Sequence, residues 1–183
     1  RRVLFRSYLR VIANPTDDVS LRRIINVPKR AIGDATIAEL VAHAQAQQMP
    51  LFSALSDLPE SLSSRPRKCV TDFFTMMTTF MAMKEELPLD QFVNQLVEQT
   101  GLLAQYEKED SDEARSRVEN IKEFLGAVTE FAKQTENATL EDYLENVALV
   151  TELDQAEEDK QYVTMMTLHS AKGLEFPNVF ITG

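Results

Sequence analysis

The sequence predicts a mainly α-helical chain: a multi-helix body flanked by fragments of an α/β domain. Three observations lead there. Apolar residues recur with helical period along residues 70–81, 89–97 and 118–131. The 183 residues include only 5 Gly and 7 Pro, and no Trp, which suits helices better than a β-sandwich with many turns. Two β-prone apolar runs, residues 163–168 and 179–181, lie near the C-terminal end and read as short buried strands. Between them stand His169, Ser170, Ala171, Lys172, Gly173, Leu174 and Glu175, a small polar insert that allows close approach to a ligand. A loop leaving the C-terminal end of a buried strand is where open α/β sheets bind ligands.

Each element has a local reason. Residues 1–7 show no clear periodicity, and residues 8–13 read as the last turns of a helix that Asn14-Pro15 breaks. That break is a candidate domain boundary. Asp17 or Asp18 can cap a helix over residues 19–26, and Val27-Pro28 ends it. Lys29, Arg30, Ala31, Ile32, Gly33 and Asp34 form a basic loop that turns at a glycine into a helix over residues 35–48. Two short helices joined this way resemble a helix-hairpin-helix, which offers backbone N–H groups and a helix N-terminus to a phosphate. An ordinary αα-turn with solvated basic residues fits the same pattern.

After Met49-Pro50 comes a short helix, residues 51–56, and a serine-rich loop. Pro66 suits the first turn of a long helix whose stripe is Val70, Phe73, Phe74, Met77, Phe80 and Met81. Leu89, Phe92, Val93, Leu96 and Val97 repeat that spacing, and Gly101 is a natural stop. Residues 102–106 form a short helix and residues 107–112 an acidic loop. A helix over residues 113–134 carries Val118, Ile121, Phe124, Leu125, Val128 and Phe131 on one face. Thr139 with Asp142 is a capping-box pattern ahead of a helix over residues 140–153. Residues 154–160 are charged and read as a linker.

The formal net charge of −10 argues against a general nucleic-acid binder, since phosphate contacts need Lys and Arg. The charge is uneven, however. Arg22, Arg23, Lys29 and Arg30 cluster, as do Arg65, Arg67 and Lys68, while acids concentrate in residues 107–113 and 152–159. A local basic site on an acidic body is compatible with that distribution. No apolar run is long enough to span a bilayer, so no membrane contact is expected. The single Cys69 excludes an internal disulfide framework and fits a cytoplasmic protein. Two His and one Cys do not make a zinc site.

The segment TLHSAKGLEFPNVF closely resembles motif V of the UvrD/PcrA/Rep family of superfamily 1 DNA helicases. YLRVIANPTDDVSLRRIINVPKRAIG is similar to the stretch where these helicases pass from the second RecA-like domain into its helical insertion, and Arg117-Val118-Glu119-Asn120 resembles a further signature there. The family usually has Gly-Ile-Gly where this chain has Ala31-Ile32-Gly33, so a position needing positive φ would force the loop to adjust.

The resemblance implies three segments. Residues 1–14 would end the first segment of the second RecA-like domain, with residues 1–7 outside the resemblance. Residues 15–160 would be the helical insertion, and residues 161–183 the return through motif V. It implies a fragment of an ATP-dependent 3′→5′ helicase that translocates on single-stranded DNA and unwinds duplex DNA in repair or replication. ATP and Mg²⁺ would serve the full-length enzyme.

Hydrolysis needs a G-x-x-x-x-G-K-[ST] loop and metal-holding carboxylates, which this sequence lacks. The fragment alone is therefore expected to be inactive, with no catalytic residue and no cofactor of its own. By position, Glu175 with Gly173 is implied to meet the nucleotide, Glu175 at the ribose. Thr167, His169 and Lys172 are implied to meet single-stranded DNA, and Lys29, Arg30 and Gly33 the duplex ahead of the fork. A RecB/AddA-type helicase–nuclease would share these features. A non-enzymatic helical module that docks protein partners through its acidic surface is the alternative from another class.

Overall fold

The computed structural model describes residues 3–156 together with Val179 and Phe180. The described elements are α1 (Val3–Ala13), α2 (Asp18–Ile24), α3 (Asp34–Ala46), α4 (Leu51–Ala54), α5 (Ser64–Glu86), α6 (Leu89–Gln99), α7 (Leu102–Glu107), α8 (Asp112–Gln134) and α9 (Leu140–Ala156). No strand occurs among the described residues, so the mainly helical expectation holds. By packing the chain divides into two units, Arg1–Ala148 and Leu149–Gly183.

The helical stripes become the core of the first unit. Val70, Phe73, Met77 and Phe80 of α5 are buried, with Phe74 and Met81 half-buried at the margin. All five stripe residues of α6 are buried, as are Ile121, Phe124 and Val128 of α8. Helix α6 packs on α5, α7 and α8, while α1 packs on α2 and α5. Helices α2 and α3 both pack on the short α4.

Residues 3–7, which show no periodicity in the sequence, are helical, and Phe5 is part of the core. Its ring stacks on Phe124 at 5.8 Å, and Phe124 in turn meets Tyr143 edge-on at 6.4 Å. Aromatic pairs in this range add roughly 0.5–1.5 kcal/mol beyond their burial. The first turns of α1 are thereby tied to α8 and the start of α9.

Helix starts leave N–H groups without partners, and side chains fill that role here. Asp17 caps α2 by accepting from the Ser20 N–H at 2.9 Å. Asp18 instead reaches the N-terminus of α4 and accepts from the Leu51 N–H at 3.1 Å. Both aspartates suggested by the sequence are therefore caps, of different helices. Ser111 caps α8 through the Ala114 N–H at 3.1 Å. Thr139 accepts from the Asp142 N–H at 3.1 Å while Asp142 accepts from the Thr139 N–H at 3.0 Å, the reciprocal capping box expected. Pro66 sits in the first turn of α5, where its missing N–H removes no intrahelical bond.

Two expectations are corrected. Helix α9 runs on to Ala156, so Asp154 and Gln155, read as linker, are helical. Val179 and Phe180, read as part of a buried strand, lie in no strand and are 65% and 90% exposed. A short parallel strand is buried only by neighbouring strands and covering helices, and no strand among the described residues offers itself. The run 163–168 lies outside the described residues.

Gly101 adopts φ +75 between α6 and α7, and a Cβ there would meet nothing within 4 Å. Gly101→Ala should therefore lower stability by about 1 kcal/mol through backbone strain alone. Gly126 stands inside α8 with equally open space, so Gly126→Ala should raise stability by roughly 0.5–1 kcal/mol. Urea denaturation of the two variants should thus show midpoints moving in opposite directions.

Candidate nucleic-acid interface

The basic loop joins α2 to α3, and its backbone is fixed at several points. Helix α2 ends at Ile24, and the Val27 N–H still donates to the Ile24 carbonyl at 3.0 Å. The Val27-Pro28 peptide is cis. The Asn26 side-chain oxygen then accepts from the Arg30 N–H at 2.8 Å and from the Ile32 N–H at 3.3 Å. An asparagine just past a helix end commonly gathers backbone N–H groups in this way. Ile32 is fully buried and plugs the loop into the core. On either side of Ile32, Ala31 and Gly33 are exposed, as is Lys29.

Ala31 adopts φ 59, the left-handed region that a Cβ disfavours. This is the position where the sequence has alanine in place of a glycine, and the loop keeps the left-handed conformation regardless. Gly33 is extended, at φ −78 and ψ 170, and stands at the N-cap of α3. A Cβ on Gly33 would meet nothing within 4 Å, so space over the start of α3 is open. Asp34 lies in that first turn and complements the helix dipole.

Arg30, grouped with Lys29 in the sequence, turns inward. Its guanidinium donates to the carbonyls of Ile24 at 3.1 Å, Pro28 at 3.3 Å and Thr100 at 3.5 Å. It also donates to the Tyr8 hydroxyl at 2.7 Å. The group lies 5.4 Å from the Phe73 ring centre and 5.9 Å from that of Tyr8, within cation–π range. The reason is local. A loop that abandons helical hydrogen bonding leaves carbonyls facing the interior, and the five fixed donors of a guanidinium can satisfy several together.

Tyr8 completes the arrangement. Its hydroxyl donates to the Val27 carbonyl at 2.6 Å while accepting from Arg30. Burial raises the Tyr8 pKa to about 12, against the opposing pull of Arg30. Neither Asn26 nor Tyr8 stands out in the sequence as a site residue. The available signal was the Asn one residue before Val27-Pro28, at the end of a predicted helix.

The other sequence-marked residues divide in a similar way. Arg67 donates to the Pro59 carbonyl at 2.8 Å and holds the serine-rich loop, while Arg65 and Lys68 are exposed. Arg117 pairs with Glu113 at 2.7 Å and lies 5.0 Å from the Tyr106 ring centre, joining α7 to α8. Thr167, His169, Lys172, Gly173 and Glu175 lie outside the described residues.

Comparison with known proteins connects the chain to a family. The family model of the UvrD-like helicase C-terminal domain matches residues 5–183. The chain is 38% identical over 180 residues to the ATP-dependent DNA helicase PcrA of Staphylococcus epidermidis, covering 97% of this chain and 25% of that protein. Against the ATP-dependent DNA helicase PcrA of Staphylococcus aureus the identity is 37% over 180 residues, covering 97% of this chain and 24% of that protein. The chain thus spans about a quarter of the length of these curated relatives.

The fold holds the Tyr8 phenol protonated, so its contribution to stability is complete below the unfolded pKa near 10 and is lost as pH rises toward about 12. Urea titrations between pH 8 and 11.5 should show a loss approaching about 2–3 kcal/mol that Tyr8→Phe does not show. At neutral pH the same substitution should cost about 1–3 kcal/mol, because the Val27 carbonyl and an Arg30 N–H lose their partner. Parallel pH profiles for parent and variant would mean that the phenol titrates normally.

Proposed function

The chain belongs to the UvrD-like helicase C-terminal domain family, and we propose that it forms the helical insertion and flanking segments of an ATP-dependent 3′→5′ DNA helicase. In this reading residues 15–160 are the insertion, and residues 1–14 and 161–183 belong to the second RecA-like domain. The full-length enzyme translocates on single-stranded DNA and unwinds duplex DNA, in replication or repair, in the cytoplasm. The observation that supports the DNA-facing role is the loop between α2 and α3. It has a fixed backbone, an exposed lysine and open space over the start of a helix. Such a surface can meet the sugar-phosphate backbone without reading bases. Lys29 supplies the charge, and Gly33 lets a phosphate approach the first N–H groups of α3.

Glu175 is proposed to accept a hydrogen bond from the ribose of ATP, with Gly173 allowing close approach. Thr167, His169 and Lys172 are proposed to hold the single strand. Phosphoryl transfer also needs Mg²⁺ held by carboxylates. Among the described residues no group of three or more His, Cys, Asp or Glu is placed to hold a metal ion. In this reading the helical unit takes no part in the chemical step, and the chain alone is expected not to hydrolyse ATP, because its sequence lacks the G-x-x-x-x-G-K-[ST] loop. The net charge of −10 favours protein partners over DNA for the rest of the surface.

Two measurements test this reading. Binding of the chain to a duplex–single-strand junction, followed across salt concentrations, should weaken in Lys29→Ala for all sequences alike. The log–log salt slope should fall by about one, the signature of a single lost phosphate contact. In the intact helicase, Glu175→Ala should raise the KM for ATP in line with a loss of about 1.5–3 kcal/mol. An unchanged KM with normal activity would remove the ribose assignment.

A further inference from the structure

We propose that Arg30 is a positioning residue: from inside the fold it presets the loop that meets duplex DNA, and it touches no DNA itself. The proposal rests on the reading of that loop as the duplex contact. Its geometric basis is the convergence of four segments on one guanidinium. Tyr8 comes from α1, Ile24 from the end of α2, Pro28 from the loop itself, and Thr100 from the turn after α6. Phe73 of α5 provides an aromatic face beside it.

The loop needs such a hold. Ala31 stays at φ 59, and residues in that region persist only where their surroundings over-determine them. The Arg30 side chain anchors the chain immediately before Ala31, and the buried Ile32 anchors it immediately after. The Arg30 and Ile32 N–H groups are also both held by Asn26. What remains for a ligand is the outer edge, namely Lys29, Ala31 and Gly33. A basic residue counted as a phosphate contact in the sequence is thus engaged by the protein.

The test compares Arg30→Lys, Arg30→Met and Lys29→Ala in the full chain and in the intact helicase. Circular dichroism first confirms that each variant is folded at the assay temperature. Both Arg30 variants should lower junction affinity about five- to tenfold, because the competent loop conformation becomes a minority state. Their salt slope should equal the parent's, whereas Lys29→Ala lowers it by about one.

Amide exchange at Ile32 should quicken in Arg30→Lys, with no DNA present. In the intact helicase the kcat and KM of single-strand-stimulated ATP hydrolysis should stay at parent values while duplex unwinding falls. Should Arg30→Met prove unfolded, Tyr8→Phe is the second variant. It removes one partner of the guanidinium, leaves every charge at neutral pH in place, and should lower junction affinity at unchanged slope.

A slope reduced by about one in Arg30→Met would show a direct phosphate contact and overturn the proposal. Parent-like affinity in folded Arg30 variants would show a purely structural arginine and also overturn it. If Lys29→Ala changes neither affinity nor slope, the reading of the loop as a duplex contact fails, and the positioning role fails with it.

Discussion

A guanidinium cannot shed its charge inside a protein, so wherever it is drawn inward the surroundings must supply acceptors. Arg30 sets that requirement for this chain. Carbonyls of Ile24, Pro28 and Thr100, the Tyr8 hydroxyl and two aromatic faces meet it. Those groups come from parts of the chain as distant as residues 8 and 100. Removing the Tyr8 hydroxyl would take the donor from the Val27 carbonyl and one acceptor from the guanidinium, a loss of roughly 1–3 kcal/mol. The loop between α2 and α3 keeps its form because the arginine inside it also binds the helices around it.

The rest of the helical unit solves a related problem with carboxylates and hydroxyls. Asp17, Asp18, Ser111 and the Thr139–Asp142 pair each satisfy N–H groups at a helix start. For Asp17, burial acts to raise the carboxyl pKa. The Ser20 hydroxyl and N–H, together with Arg10 and Arg23, outweigh it and hold the group below the usual carboxylate range. Part of the acidity of the chain is thus structural, and several aspartates are fixed where helix dipoles favour them.

Charge distribution and loop geometry are both compatible with the proposed helicase insertion. An acidic body disfavours indiscriminate binding to DNA. A rigid exposed loop with one lysine and an uncovered helix start can still make a local phosphate contact. Inward placement of Arg30 exchanges one unit of surface charge for a preset backbone. Contacts that position without reading sequence would suit the proposed movement along DNA of any sequence.

Much of this was legible in the sequence. The apolar stripes of α5, α6 and α8 could be read because a helix repeats its buried face every 3.6 residues. The stop at Gly101 and the capping box at Thr139 are equally local rules, as is the tension at Ala31. The family could be read from the residues around Lys172 and Glu175. Tertiary structure alone decided which way Arg30 faces, since carbonyls that need a donor appear only once α1, α2 and α6 converge. It also showed that Asp18 caps α4 rather than α2, and that Phe5 of an apparently patternless segment stacks on Phe124. The reason is physical. Periodicity and capping act between residues a few positions apart, whereas satisfying a buried polar group depends on whichever distant segment the fold brings beside it.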